Sequence, residues 1–308
     1  MNGRMILTWV LTGILGLAQA QNSAVNPGHT GSVTAISKVL GDGRKVAAVV
    51  LEYDTPVSNE SLTRESFRVE GKEVTRIYAN TVPERAAQGK DGRYVIIEVK
   101  AEVDLNAQPR QPSQADMEKK RERDRRQGGP GLRAGWSTGG NDEYPGNAVA
   151  FQIAGIKTTD GKTYKASDMP IKSTAERCLV ADDFRQEEFV SPFTGQVLPY
   201  NIYLPEDYNP SEQYPLVLFI HDAGVASGPV THPLYQGNGA TSWAEPEAQA
   251  RHKCIVVAPE YPFITVDDNW NYSHHLDATI ALLKDLQTRY SICLLYTSDA
   301  ADEARSVD

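Results

Sequence analysis

The chain has only three cysteines in 308 residues, and Cys178, Cys254 and Cys293 are too far apart to form a metal knuckle or a disulfide framework. Basic residues are also in short supply. Lys and Arg number 31 against 40 acidic residues, a formal charge of −9, so there is no positive surplus to meet a phosphate backbone, and nucleic acid is excluded as the main partner. Apart from Met5–Leu17, no apolar run approaches the length of a membrane span. Glycine is absent after Gly239 and histidine after His275. The last part of the chain therefore contains no glycine-flanked tight turn and no imidazole.

The first twenty residues carry the clearest local signal. Arg4 gives a positive start, Met5 to Leu17 an apolar stretch, and Ala18-Gln19-Ala20 a small-residue cleavage site. This is the pattern of a secretory signal peptide, with a mature chain expected to begin at Gln21 in a secreted or periplasmic location. Export would permit a Cys178–Cys254 disulfide, and two buried free thiols fit the spacing equally well.

Residues 31–173 read as an all-β domain. Val46–Tyr53, Phe67–Val69, Val74–Tyr78 across Gly71, Tyr94–Val99 and Ala148–Ile153 are short β-type runs, separated by turn clusters such as Gly41-Asp42-Gly43 and Asp160-Gly161. Short strands with such punctuation predict a small sandwich of immunoglobulin-like type. Residues 108–146 interrupt it with Pro, Gln and Gly around the mixed-sign run Glu118–Arg126, which reads as a solvated excursion.

From about residue 183 to 292 the pattern changes. Glu188–Val190 and Tyr200–Leu204 flank the turn Ser191–Gly195 and predict a hairpin. Leu216–Ile220 and Ile255–Ala258 are continuous apolar runs, typical of strands covered on both faces. Ser273 is placed to cap a helix with the stripe Leu276, Ile280, Leu283, Leu286 and Tyr290. A hairpin followed by buried strands and helices predicts an α/β sheet with an antiparallel edge.

The strand Tyr214–Ile220 runs into His221-Asp222-Ala223-Gly224. In α/β-hydrolases the turn after this strand supplies a backbone N–H to the oxyanion hole, which requires small residues so that the backbone can approach the substrate. Leu204-Pro-Glu-Asp-Tyr208, the strand into His221, Gly239-Ala-Thr-Ser-Trp243-Ala and Lys253–Tyr261 together resemble exported esterases of the polyhydroxybutyrate-depolymerase and feruloyl-esterase group. Val266–Trp270 and Asp285–Ile292 fit the branch with an immunoglobulin-like N-terminal domain. The resemblance implies an incomplete α/β-hydrolase sheet after the β domain, a serine hydrolase of small-molecule or polysaccharide-linked carboxylic esters, and Asp222 and Ala223 as oxyanion donors. Asp222 stands where many hydrolases carry glycine. A prolyl-oligopeptidase-like peptidase and a non-catalytic extracellular binding protein working through the β domain are the alternatives.

That family places its nucleophile in a Gly-x-Ser-x-Gly elbow on the next strand, with the acid and the histidine later in the chain. None of the three is present in that order, so no catalytic residue is assigned. Gly135-Trp-Ser137-Thr-Gly139 has the elbow spelling but precedes the oxyanion strand. Ser298 has Tyr296 and Ala300 two residues away, and a tyrosine there would clash in the elbow. Leu294–Glu303 resembles translated sequencing adapter, and residues 293–308 read as a non-native tail after Ile292. His274 and His275 are adjacent and read as surface positions. His232 and His252 belong to no recognisable catalytic motif. No metal or cofactor is expected.

Overall fold

A computed structural model describes residues 29–103, 118, 147–222, 225–266 and 271–293. The expected signal peptide, most of the expected insert, Ser137, Ala223 and all of the expected tail except Cys293, including Ser298, lie outside the described residues.

Strands β1 (Thr30–Leu40) and β2 (Gly43–Val57) form a long hairpin. Gly43 has φ +101° there, a conformation that side chains with a Cβ resist. β3 (Phe67–Val69), β4 (Val74–Asn80), β5 (Gly92–Val99), β6 (Val149–Gln152), the short hairpin β7 (Ile156–Lys157) and β8 (Thr163–Tyr164), β9 (Ile171–Lys172) and β10 (Ala175–Cys178) follow. One sheet has the order β10-β1-β2-β5-β4, and a second has the order β3-β6-β9. Val49, Leu51 and Tyr53 of β2 and Val95, Ile97 and Val99 of β5 pack with Phe67, Val69, Ala150 and Ile171 of the second sheet. The opposite face of the first sheet is also closed, with Ile36, Ala48, Val50, Tyr78 and Ile96 packing with Ala86 and Leu179. Burial on both faces explains why Val46–Leu51 is apolar without alternation. The runs on either side of Gly71 do not pair with each other as strands. After a single bridge, Val69 to Lys72, the chain crosses from one sheet to the other.

The second half builds a five-stranded sheet from β11 (Arg185–Val190), β12 (Val197–Tyr203), β13 (Tyr214–Leu218), β14 (Ile255–Pro259) and β15 (Ile292–Cys293), in the order β11-β12-β14-β13-β15. β11 and β12 form the expected hairpin, with Gly195 at φ +69° in its turn. β12 runs antiparallel to β14, while β13 and β14 are parallel, with Leu216 opposite Ile255. β15 runs parallel to β13 through Tyr214–Ile292 and Pro215–Cys293.

Helix His274–Arg289 covers one face, setting Ala278, Leu282 and Leu286 against Leu198, Tyr200, Ile202, Ile255 and Val257. Ser273 caps it as expected, accepting the His275 N–H. The expected stripe is corrected in part, since Leu286 is buried and Tyr290 packs against the same cluster as expected. His275, Ala278, Thr279, Leu282 and Leu286 are the buried set, and Ile280 is 53% exposed. The other face packs on the short helices His232–Tyr235 and Thr241–Ala244, together with Val39 of β1 and Cys178 of β10. The sandwich and the five-stranded α/β sheet thus share one apolar cluster, and the Arg44 guanidinium lies 4.6 Å from the Tyr235 ring centroid. Cys178 and Cys254 are both buried in that cluster as free thiols.

Candidate active site

The two parallel strands β13 and β14 end side by side, where ligands bind in open α/β sheets. Phe219 N–H donates to Val257 O at 2.8 Å, which extends the pairing one residue past β13. The loops leaving the two strands then bind each other. Ser227 N–H donates to Tyr261 O at 2.8 Å, the Ser227 hydroxyl to Pro262 O at 2.7 Å, and Gly228 N–H to Glu260 Oε1 at 2.9 Å.

His221 is the pivot of this arrangement and is buried. Tyr261 N–H donates to its Nε2 at 3.0 Å, so that nitrogen carries no proton. The proton therefore sits on Nδ1, which donates to the Asp222 carbonyl at 2.7 Å. Burial lowers the His221 pKa and keeps the ring neutral. Glu260 Oε2 lies 3.4 Å from His221 Nε2, with both side chains 2% exposed. From Tyr261 the network continues into the helix. The Tyr261 hydroxyl bonds Thr279 Oγ1 at 2.9 Å, and Thr279 donates onward to the His275 carbonyl at 2.8 Å.

Of the two expected oxyanion donors, Asp222 is at the surface, with its carbonyl engaged by His221 and by Val225 N–H at 3.3 Å. Ala223 lies outside the described residues. His275, expected at the surface, is buried, and burial lowers its pKa. Its neighbour His274 is exposed and faces Gln196 Oε1 at 2.9 Å. Among the described residues no three His, Cys, Asp or Glu side chains are grouped to hold a metal. Ser227 has the positive φ (+69°) of a strained turn, but its hydroxyl is turned to Pro262 O.

Sequence reasoning found His221 only as part of a motif, and it missed the partnership with Glu260. A carboxylate directly after a wholly apolar strand, Ile255–Pro259, was the available signal.

Residues 32–165 match the family described as the esterase Ig-like N-terminal domain. This part of the chain is similar to the immunoglobulin-like N-terminal domain of esterases. A crystal structure of a thermostable esterase is similar over 85% of this chain and 68% of its own, at 28% identity and a TM-score of 0.66. Among curated proteins none matches. The fold is accordingly an all-β immunoglobulin-like sandwich followed by part of an α/β-hydrolase sheet, and the chain is a hydrolase of the esterase type by resemblance. No helix among the described residues is long and apolar enough to cross a membrane.

Proposed function

We propose that this is an exported serine carboxylesterase in which the loop after β13 binds the oxyanion of an acyl-enzyme reaction, with backbone N–H groups of Asp222 and Ala223 as donors. The observation that supports this most is the position of that loop. It leaves the C-terminal end of a parallel strand, is tied to the loop after β14, and lies in a chain similar to an esterase over most of its length. Donors of this kind stabilise the negative charge that develops on the carbonyl oxygen, and removal of one typically costs about 2.7–4 kcal/mol of transition-state stabilisation. The substrate class is a small-molecule or polysaccharide-linked carboxylic ester.

The proposal includes inactivity of the 308 residues taken alone. An elbow serine on a strand after β14 needs glycine neighbours, and no glycine follows Gly239. The purified chain should release no p-nitrophenol from p-nitrophenyl acetate above a heat-treated control, and a fluorophosphonate probe should leave it unlabelled. Labelling that vanishes in Ser137→Ala or Ser298→Ala would overturn this. The esterase reading itself is tested in genomic DNA past the codon for Ile292. A Gly-x-Ser-x-Gly, an acidic residue and a histidine are expected in that order, encoding an enzyme that hydrolyses the same ester. Export is tested by the mature N-terminus in a Sec-competent bacterium, expected at Gln21.

A further inference from the structure

The turn that joins β1 to β2 comes into main-chain contact with the α/β half. A Cβ on Gly237 would fall 3.1 Å from Gly41 O and 4.0 Å from Leu40 O, so the two backbones meet with no side chain between them. A Cβ on Gly43 would lie 3.6 Å from Tyr235 O, and the Arg44 guanidinium sits over the Tyr235 ring. Arg44 is itself braced from within the sandwich. Its Nη1 lies 3.2 Å from Glu176 Oε1 of β10, which also accepts the Ser37 hydroxyl of β1 at 2.8 Å. Residues 40–44 therefore present a braced edge to residues 235–239.

The contact passes on to the end of β13. A Cβ on Gly239 would fall 2.3 Å from Phe219 Cε2 and 2.8 Å from its Cζ, so the Phe219 ring lies against the bare main chain of Gly239. Phe219 also packs into the cluster that Val39 of β1 shares with Leu234 and Ala240. Its N–H carries the β13–β14 pairing one residue further, and His221 follows two residues later. Close-packed interiors transmit a displacement rather than absorb it.

We propose that the β1–β2 turn is a positioning element for the candidate active site, with Arg44 as its positioning residue. It seats residues 235–239 so that Gly239 holds Phe219 and fixes where β13 ends. The proposal rests on reading the end of β13 as the edge of that site. It gives the sandwich a task inside its own chain. Arg44 acts through Tyr235 and does not touch the substrate.

The test is amide hydrogen exchange on the full chain, in the native protein, in Arg44→Ala, in Gly239→Ala and in the double variant. Arg44→Ala changes a sandwich residue only, yet exchange at Phe219 should speed up about twofold to fivefold, the size of one lost cation–ring contact. Val49 and Ile97, opposite each other in β2 and β5, should keep their protection. Gly239→Ala pushes the ring directly and should speed Phe219 by at least as much. In the double variant the two effects should not multiply, because both act through one contact. Unchanged Phe219 exchange in either single variant would overturn the proposal. So would an equal rise at Phe219, Val49 and Ile97, which is what a general loss of stability produces, and so would rates that multiply in full. If a variant does not fold, the native protein still decides. Nuclear Overhauser contacts should join the Phe219 ring to the Gly239 α-protons and the Arg44 side chain to the Tyr235 ring, and absence of either would sink the proposal. Neither readout involves hydrolysis, so failure of the esterase reading and failure of this role for the sandwich are separate results.

Discussion

His221 and His275 are both buried and both held below the ordinary imidazole pKa of 6.5, with burial as the main cause. An unfolded chain protonates these rings near 6.5, whereas the folded chain does so only at lower pH. Below that value the unfolded state binds more protons, so acidification favours it. The stability due to the two neutral rings is complete above about pH 7 and is lost as the pH falls toward the folded pKa. Calorimetry should therefore show Tm falling between about pH 7 and pH 5.5, with a shallower fall in His221→Gln. A Tm that does not change over this range would mean that the rings are not held neutral. Gly92 gives a second prediction at this scale. A Cβ there would lie 1.9 Å from Asn80 O and 2.2 Å from Asn80 C, backbone atoms of the paired strand β4 that cannot rotate aside. Gly92→Ala should cost about 1–3 kcal/mol in urea denaturation, the usual range for forced overpacking.

At the scale of single elements, turns and caps were the most legible parts of the sequence. Gly43, Gly161 and Gly195 all sit at positive φ, where few other residues go, and Ser273 begins its helix by accepting a backbone N–H. The face of that helix was not legible. Leu276, Ile280, Leu283, Leu286 and Tyr290 form one apolar stripe and Ala278, Leu282 and the shared Leu286 another, and periodicity gives both equal weight. Contact with the sheet selects the second, and the bond from Tyr261 to Thr279 brings a polar pair into the same face. The site divides in the same way. His221 was readable as part of a motif, but Glu260 gains meaning only when folding sets it beside Gly228 and His221. The cysteines test the packing of these elements directly. Burial pushes the Cys178 thiol up to about 11 and raises Cys254 as well, while Cys293 on β15 is only half-buried. A thiol reagent should label Cys293 first, and the other two only on unfolding. Equal rates at all three would contradict the shared cluster.

For the molecule as a whole, the two sheets differ in how well they are closed. The sandwich buries one cluster between its sheets and another on the outer face, and every β2 residue from Val46 to Leu51 is inside. In the five-stranded α/β sheet β14 is buried throughout, but β13 is buried only at Tyr214. Leu216, Val217 and Leu218 are half-covered, Ile220 is 44% exposed, and β15 reaches β13 only at Tyr214 and Pro215 among the described residues. Each large apolar side chain left wet forfeits about 1.5–3 kcal/mol, against a total domain stability of about 5–15 kcal/mol. A strand flank with unpaired backbone groups and apolar neighbours is also a template for pairing with a second copy. The five-stranded α/β sheet should therefore melt first and associate as concentration rises, while the sandwich remains folded. A shorter chain for comparison should end at Leu179, because β10 pairs with β1 and Leu179 packs on the outer face of the first sheet. Calorimetry and size-exclusion over a concentration series should give two transitions and growing oligomers for the full chain, and one transition and a monomer for the shorter one. A single transition and a monomer at every concentration for the full chain would show that β13 is closed after all.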